Sequence, residues 1–448
     1  MRNAKIVCTL GPASDDQSTI RALSDAGMSV ARLNASHGTP EHRAEVIDRI
    51  RTVDAGTEEP LAAMVDLQGP EVRTAPIDEP IHLATGSEVR FVESDDATPE
   101  EVGLSYSIAA AEPGDTVLLD DGRIEATVER VEGDTVVARI DSGGELDSRK
   151  GVNLPGVKLD IDLITEGDRR ELEVAAEKRA DFVAASFVRS AEDVYTISDA
   201  LENLGADIPV VAKIERAGAV ENLEEIIEAS YGVMVARGDL GVEMPLEEVP
   251  IIQKRIIRRC QATGTPVITA TEMLDSMVHS RRPTRAEASD VANAVLDGTD
   301  AVMLSGETAI GDNPVRVVQT MDRIVRQIES SAEYDETREQ HVPAAEDDSR
   351  TEALSRAARY LSRDVNATAI VAASESGYTA RKTAKFRPGV PVVATTPNDR
   401  VRRQLALSWG VIPQYAAYRN GIDDIMDDAV DAALDADVAE SGDRKSVV

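Results

Sequence analysis

Cysteine, lysine and long apolar runs are all scarce in this 448-residue chain. The only cysteines, Cys8 and Cys260, each sit inside an apolar stretch. That argues against a disulfide framework or a cysteine-rich metal site and predicts buried thiols in a reducing compartment. No apolar run approaches the roughly 20 residues needed to span a bilayer. Met1-Arg2-Asn3-Ala4-Lys5 leads directly into a short apolar segment and Gly11-Pro12, without the apolar core and small-residue cleavage site of a secretory signal. A cytoplasmic protein with no membrane association is therefore expected. No Gly-rich loop ending in Gly-Lys-Ser/Thr occurs, which excludes a P-loop kinase.

Positive charge is also in short supply. Against 82 acidic residues stand 48 basic ones, nine of them lysine, for a net charge of −34. Nucleic acid, itself polyanionic, is excluded as a natural partner. The acids are spread over the whole chain, as in Asp15-Asp16, Glu58-Glu59, Asp95-Asp96 and Asp423-Asp424, and read as a solvated surface. So much self-repulsion weakens a compact state at low ionic strength and points to a salt-rich, halophile-like cytoplasm.

With 42% hydrophobic residues, the chain is long enough for two or three domains with ordinary cores. Short β-branched runs alternate with amphipathic stretches of helical length. The runs are Lys5 to Leu10, Ser29 to Asn34, Leu61 to Asp66, Phe182 to Val188, Pro209 to Glu215, Gly232 to Leu240, Pro266 to Thr271 and Ala301 to Ser305. Eight βα units predict an α/β protein, a closed (β/α)8 TIM barrel over residues 1–70 and 155–333, with chemistry at the C-terminal strand ends. Residues 71–154 have a different texture, with strand alternation broken by Asp-Gly and Gly-Asp turns, and predict an inserted all-β lid domain. Residues 334–350, with Glu346-Asp347-Asp348, read as an acidic linker, and residues 351–448 as a C-terminal open α/β domain.

Lys213 and Glu215, two apart in the fifth strand, share a face. Asp239, between Gly238 and Gly241, ends the sixth. Two carboxylates from adjacent strand ends suit Mg²⁺ or Mn²⁺, and a lysine beside such a cation stabilises charge on a phosphoryl group in transfer. Spacing alone equally admits a structural ion-pair network. Arg32 and Arg73 at the mouth suggest phosphate recognition. Asn34, Ser36 and Asp66 offer the oxygens a monovalent cation accepts. Thr271, Ser305 and Glu307 at the last strand ends are placed to relay a proton, although such residues are also common as helix caps.

In order, spacing and wording these segments resemble pyruvate kinase. The matching stretches are KIVCTLGPAS (5–14), ARLNASHG (31–38), DLQGPEVRT (66–74), AKIE (212–215), MVARGDLG (234–241), ATEMLDSM (270–277), RPTRAEASDVANAVLD (282–297) and MLSGETA (303–309). The lid and C-terminal domain follow in the family's order, so the resemblance covers nearly the whole chain. It implies phosphoryl transfer from phosphoenolpyruvate to ADP, giving ATP and pyruvate. Lys213 would stabilise the phosphoryl group, and Glu215 and Asp239 would hold Mg²⁺ or Mn²⁺. The substrate carboxylate would sit on the N–H groups of Gly238 and Asp239 and on Thr271, with Arg32 nearby. Asn34, Ser36, Asp66 and the Leu67 carbonyl match the K⁺ site, and Glu71 falls where K⁺-dependent members carry glutamate. His37, Arg32, Arg73 and Asn34 match positions near the nucleotide, and Thr271, Ser305 and Glu307 the proton-delivery region. A homotetramer is the assembly the resemblance implies.

Four departures from the family pattern stand out. Gly167 occupies a position where lysine approaches the nucleotide phosphates, so that contact is weakened or taken over by Lys158. Glu272 replaces a glutamine. Ser374 to Thr379, where some relatives bind a phosphorylated sugar, reads as an ordinary strand-to-helix turn. The chain ends where relatives enter their last strands, which predicts a C-terminal sheet lacking those strands, with an unpaired edge. Two other readings compete. A metal-dependent aldolase would share the two carboxylates but has no need of the lid or the K⁺-site residues, and a binding protein that has lost catalysis would not retain every residue at the reacting centre.

Overall fold

Eight short strands, Lys5–Leu10, Val30–Asn34, Ala62–Asp66, Phe182–Ala185, Val210–Ile214, Gly232–Ala236, Val267–Ala270 and Ala301–Leu304, are built mainly from small and β-branched apolar residues. In the computed structural model, which describes residues 2–159, 161–345, 349–419, 421–439 and 445–447, they close into a parallel barrel. The first strand pairs with both the second and the eighth. Strands covered on both faces cannot alternate polar and apolar residues, and the third, fourth, sixth, seventh and eighth are buried at every position. Helices pack around the barrel over a large shared core that includes Ile20, Ile47, Leu172, Ile197, Ile256 and Met321.

The sixth strand is shorter than its sequence suggests. Its ladder with the seventh strand ends at Ala236 opposite Ala270, where the neighbouring chain turns away into positive φ at Thr271. With no partner beyond that point, residues Arg237–Glu243 coil into a short helix. Asp239 therefore rises from a helix's first turn and not from an extended strand end.

After the third strand the chain leaves to form a six-stranded and a two-stranded sheet with a separate core around Val89, Phe91, Leu104, Ile124, Val128 and Ile140. An isolated bridge between Arg73 and Gly151 joins the outgoing and returning segments.

The C-terminal segment forms a four-stranded parallel sheet from Ala369–Ala373, Val392–Thr396, Val411–Tyr415 and Lys445–Val447. The expected sheet lacks its last strands and has an unpaired edge; in the structure Lys445, Ser446 and Val447 lie opposite Ala369, Ile370 and Val371 and form a strand that is itself an edge of the sheet. The acidic stretch is corrected in part. Ala332–Gln340 is a helix capped by Ser331, escaping its polar sequence because Tyr334 is its single buried residue. Glu346-Asp347-Asp348 lie outside the described residues.

The C-terminal unit is keyed into the barrel's base. Leu407 packs among Val7, Met64, Phe182 and Ile268 at the bottom of the barrel interior. Arg403 reaches Asp181 at 2.8 Å, and the Arg387 guanidinium lies 3.2 Å from Asp300 and over the Trp409 ring. Among the described residues no helix is long and apolar enough to cross a membrane.

Candidate active site

The fifth strand presents Lys213 and Glu215 inward at the barrel mouth, and the third and fourth contribute Asp66 and Ser186 beside them. Lys213 Nζ lies 2.6 Å from Glu215 Oε1 and 3.5 Å from Asp66 Oδ1, and donates to Ser186 Oγ at 2.6 Å. Ser186 in turn donates to the Leu67 carbonyl at 2.7 Å. The second Glu215 oxygen accepts the Phe187 N–H at 2.8 Å, an approach made possible by the left-handed backbone of Phe187, φ +59°.

The electrostatics of this cluster are unbalanced. Burial disfavours the Lys213 ammonium, but the charges of Asp66, Glu215 and Asp239 outweigh it and raise its pKa, with Arg32 opposing. Glu215 is raised as well, first by burial and then by Asp239, against the pull of Lys213 and the Phe187 N–H. Asp239 is raised by enclosure in the mouth, opposed by Lys213, and further raised by Glu71 and Asp121. The mouth thus carries more negative charge than its cations neutralise. That is the condition for holding a divalent ion, and the all-oxygen donors Glu215 and Asp239 suit Mg²⁺ or Mn²⁺. Among the described residues no three His, Cys, Asp or Glu side chains converge as a ready-made cage.

The residues expected to hold a monovalent cation lie at the ends of the second and third strands. Asn34 and Asp66 stand directly opposite in the ladder of the second and third strands, and the Ala35 N–H donates to the Asp66 carbonyl at 2.8 Å. Asn34 Oδ1 accepts the Ser36 N–H at 3.2 Å. Asp66 Oδ1 is buried with no hydrogen-bond donor. This oxygen, with the Lys213 ammonium 3.5 Å away and no hydrogen bond to it, belongs with the Asn34 amide, Ser36 hydroxyl and Leu67 carbonyl oxygens to the donor types a monovalent cation takes.

Other predicted residues are placed less simply. Arg32 is buried and commits Nε to Asp66 Oδ2 at 2.5 Å and Nη1 to Thr9 Oγ1 at 2.9 Å. Arg73 pairs with Glu71 Oε2 at 2.7 Å and donates to the Arg149 carbonyl at 3.1 Å, so in this state it serves the base of the lid. His37 is exposed on the loop after the second strand. The Gly238 N–H donates to Thr271 Oγ1 at 2.8 Å and the Thr271 hydroxyl to the Ala270 carbonyl at 2.7 Å. Glu307, buried and raised chiefly by that burial, accepts the N–H groups of Leu274 at 3.0 Å and Ser305 at 2.6 Å. Thr271 and Glu307 are thus each held by their own partners.

Gly167 sits in the first turn of helix Glu166–Glu177, whose capping box joins Thr165 and Asp168. Asp168 also accepts the N–H of Gly69 at 3.2 Å. At Gly69, φ +71°, an added Cβ would come 2.6 Å from the Phe187 ring, so only glycine fits at this departure point of the lid. Sequence reasoning passed over Ser186 and Phe187, which lie inside a recognised strand run but carry no motif. Arg237, inside the MVARGDLG stretch, carries no local signal of a role, yet its guanidinium makes five hydrogen bonds at the mouth.

Comparisons with known proteins agree with this geometry. The family description "Pyruvate kinase, barrel domain" matches residues 1–318 and "Pyruvate kinase, alpha/beta domain" residues 352–448. Pyruvate kinase of Geobacillus stearothermophilus is 44% identical over 99% of this chain and 76% of its own length. The enzyme of Clostridium acetobutylicum is 41% identical over 99% of this chain and 95% of its own length, and that of Staphylococcus aureus is 44% identical over 99% and 77%. A barrel with charged residues gathered at its mouth, an inserted β unit, a C-terminal α/β sheet and matches of this extent all lead to one assignment: the chain belongs to the pyruvate kinase family.

Proposed function

We propose that this chain transfers the phosphoryl group of phosphoenolpyruvate to ADP, giving ATP and pyruvate, with Lys213 as the group that meets the phosphoryl in flight. The observation that carries the assignment is the Lys213 ammonium held between Glu215, Asp66 and Ser186 in a mouth with surplus negative charge. Held on three sides, the ammonium needs little reorganisation as charge shifts onto the transferring oxygens, which is the basis of electrostatic catalysis.

Glu215 and Asp239 would hold Mg²⁺ or Mn²⁺, and Asn34, Ser36, Asp66 and the Leu67 carbonyl would hold K⁺. When bound, the divalent ion supplies positive charge opposite the enolate and carboxylate oxygens of the substrate. The substrate carboxylate would be oriented by the N–H groups of Gly238 and Asp239 and by Thr271, with the Gly238 N–H exchanging its bond to the Thr271 hydroxyl for one to substrate. Arg32 and Arg73 would face the phosphates, with His37 and Asn34 toward the nucleotide. For Arg73 this requires release of Glu71. Thr271, Ser305 and Glu307 would deliver the proton that turns the enol product into the ketone and makes transfer strongly favourable.

We further infer a homotetramer in a salt-rich cytoplasm. Two pairs of exposed apolar residues support the assembly: Leu246 and Ile251 before and within helix Val249–Thr263, and Leu354 and Leu361, seven apart on helix Arg350–Asp364. A dimer of dimers needs two distinct interfaces.

The test is a coupled assay with phosphoenolpyruvate, ADP, Mg²⁺ and molar KCl, in which added lactate dehydrogenase reports pyruvate. Turnover that requires both ADP and a divalent ion is expected. Its absence across a full salt titration contradicts the proposal.

A further inference from the structure

The Arg237 guanidinium has five N–H donors and five acceptors around it. Nε donates to the Ala270 carbonyl at 3.0 Å. Nη2 donates to the Thr271 carbonyl at 2.6 Å and to Met273 Sδ at 2.8 Å. Nη1 donates to Asp290 Oδ1 at 2.7 Å and Gln253 Oε1 at 3.3 Å. One side chain from the end of the sixth strand thus grips the end of the seventh and anchors it to helices Val249–Thr263 and Arg285–Asp297.

The segment it grips is strained. Thr271 and Glu272 have φ of +67° and +54° in succession, a conformation that crowds the Cβ of any L-residue and is most unfavourable for a β-branched one. Such a backbone persists only where its surroundings over-determine it. Here it brings Thr271 Oγ1 within 2.8 Å of the Gly238 N–H, so the hydroxyl lies beside the backbone that leads to Asp239.

We propose that Arg237 is a positioning residue for proton delivery. By holding the carbonyls of Ala270 and Thr271 it locks the left-handed turn that keeps the Thr271 hydroxyl in register with the Gly238–Asp239 backbone. The planar fork is required as well as the charge, because Ala270, Thr271 and Asp290 are reached from three different nitrogens. The inference rests on the phosphotransfer reading of this site. It adds that damage at Arg237 strikes protonation of the enol product at least as hard as phosphoryl transfer, while leaving the metal carboxylates intact.

The experiment compares full-length wild type with Arg237→Gln, Arg237→Lys and Arg237→Ala in three measurements: turnover in the coupled assay, exchange of pyruvate methyl protons for deuterium, and Mn²⁺ binding. Gln and Lys variants are expected to lose about 100-fold in kcat, the order of effect of a misplaced group at the reacting centre, with an equal or larger loss in methyl exchange and unchanged Mn²⁺ affinity. Millimolar guanidinium should restore part of the rate to Arg237→Ala, and the same concentration of urea should not. Wild-type kcat and exchange in Arg237→Gln would overturn the proposal. So would full activity in Arg237→Lys, or a rate loss matched by lost Mn²⁺ binding without guanidinium rescue. An inactive wild type would overturn the phosphotransfer reading itself, a separate result.

Discussion

Replacing Lys213 with methionine keeps the length of the side chain and removes its charge, leaving Glu215 without its 2.6 Å partner while Asp66 keeps Arg32. At an effective dielectric of about 20, an ion pair at 2.6 Å is worth ~6 kcal/mol and one at 3.5 Å ~5 kcal/mol before desolvation is counted. Desolvation offsets most of that gain, but removing one partner of a buried pair exposes the penalty of the other, typically about 3–5 kcal/mol. Metal-free Lys213→Met should therefore be less stable than wild type by that amount at pH 7.5. The sign follows from the raised Lys213 pKa: its stabilisation is fully present below the ordinary lysine value of 10.5 and is lost only as pH climbs through the higher folded-state value. Acidification through the carboxylate range should narrow the gap, because Glu215, whose pKa is raised, then loses the charge that needs compensation. Added Mg²⁺ should also narrow it by supplying positive charge at the same place. Urea titrations at pH 5 and 7.5, each with chelator and with Mg²⁺, read all four conditions. A variant as stable as wild type in chelator at pH 7.5 would refute the charge-balance reasoning.

Three further predictions concern the frame of the site. Lys5 donates to the Val411 carbonyl at 2.7 Å, and burial, with Arg2 adding, brings its pKa down to about 8 from 10.5. Its stability penalty is therefore constant below pH 8 and is relieved as pH rises from 8 to 10.5, so the Tm advantage of Lys5→Met at pH 7 should shrink over that window; a constant difference would contradict the shift. Leu407→Ala opens a hole at the base of the barrel interior, where Leu407 is fully buried among Val7, Met64 and Phe182. A loss of about 2–5 kcal/mol in urea unfolding is expected, and a loss under 1 kcal/mol would mean the base is not keyed by this residue. With a net charge of −34, Tm should rise steeply with KCl as the screening length falls from about 10 Å at 0.1 M to 3 Å at 1 M; a flat salt response would show that self-repulsion does not limit stability.

The barrel was legible in the sequence because strands covered on both faces read as continuous apolar runs. Phe182–Ala185, Gly232–Ala236 and Ala301–Leu304 carry that signature without interruption, and the other five strands carry it with one or two polar residues. What escaped depends on partners rather than on pattern. Val411–Tyr415 contains Pro413, which is tolerated because this is an edge strand. Lys445–Val447 is a strand because Ala369–Val371 offers it a row of backbone groups. At the site, the period of two gave the shared face of Lys213 and Glu215. The helical setting of Asp239 and the grip of Arg237 arise from the break in the ladder after Ala236, an event that no local pattern encodes. Phosphate contacts expected of Arg32 and Arg73 were likewise inferred from residue type, while in this state both guanidinium groups are engaged by neighbouring carboxylates.

The central claim is that one mouth, organised around Lys213, moves a phosphoryl group from an enol to a nucleotide. Phosphorus NMR of wild-type protein with phosphoenolpyruvate, ADP, Mg²⁺ and KCl tests it most directly, with Lys213→Met as the control. The account predicts that the phosphoenolpyruvate resonance is replaced by that of the ATP γ-phosphate in wild type and persists in the variant. Release of inorganic phosphate in place of ATP, or equal ATP formation by Lys213→Met, would contradict it.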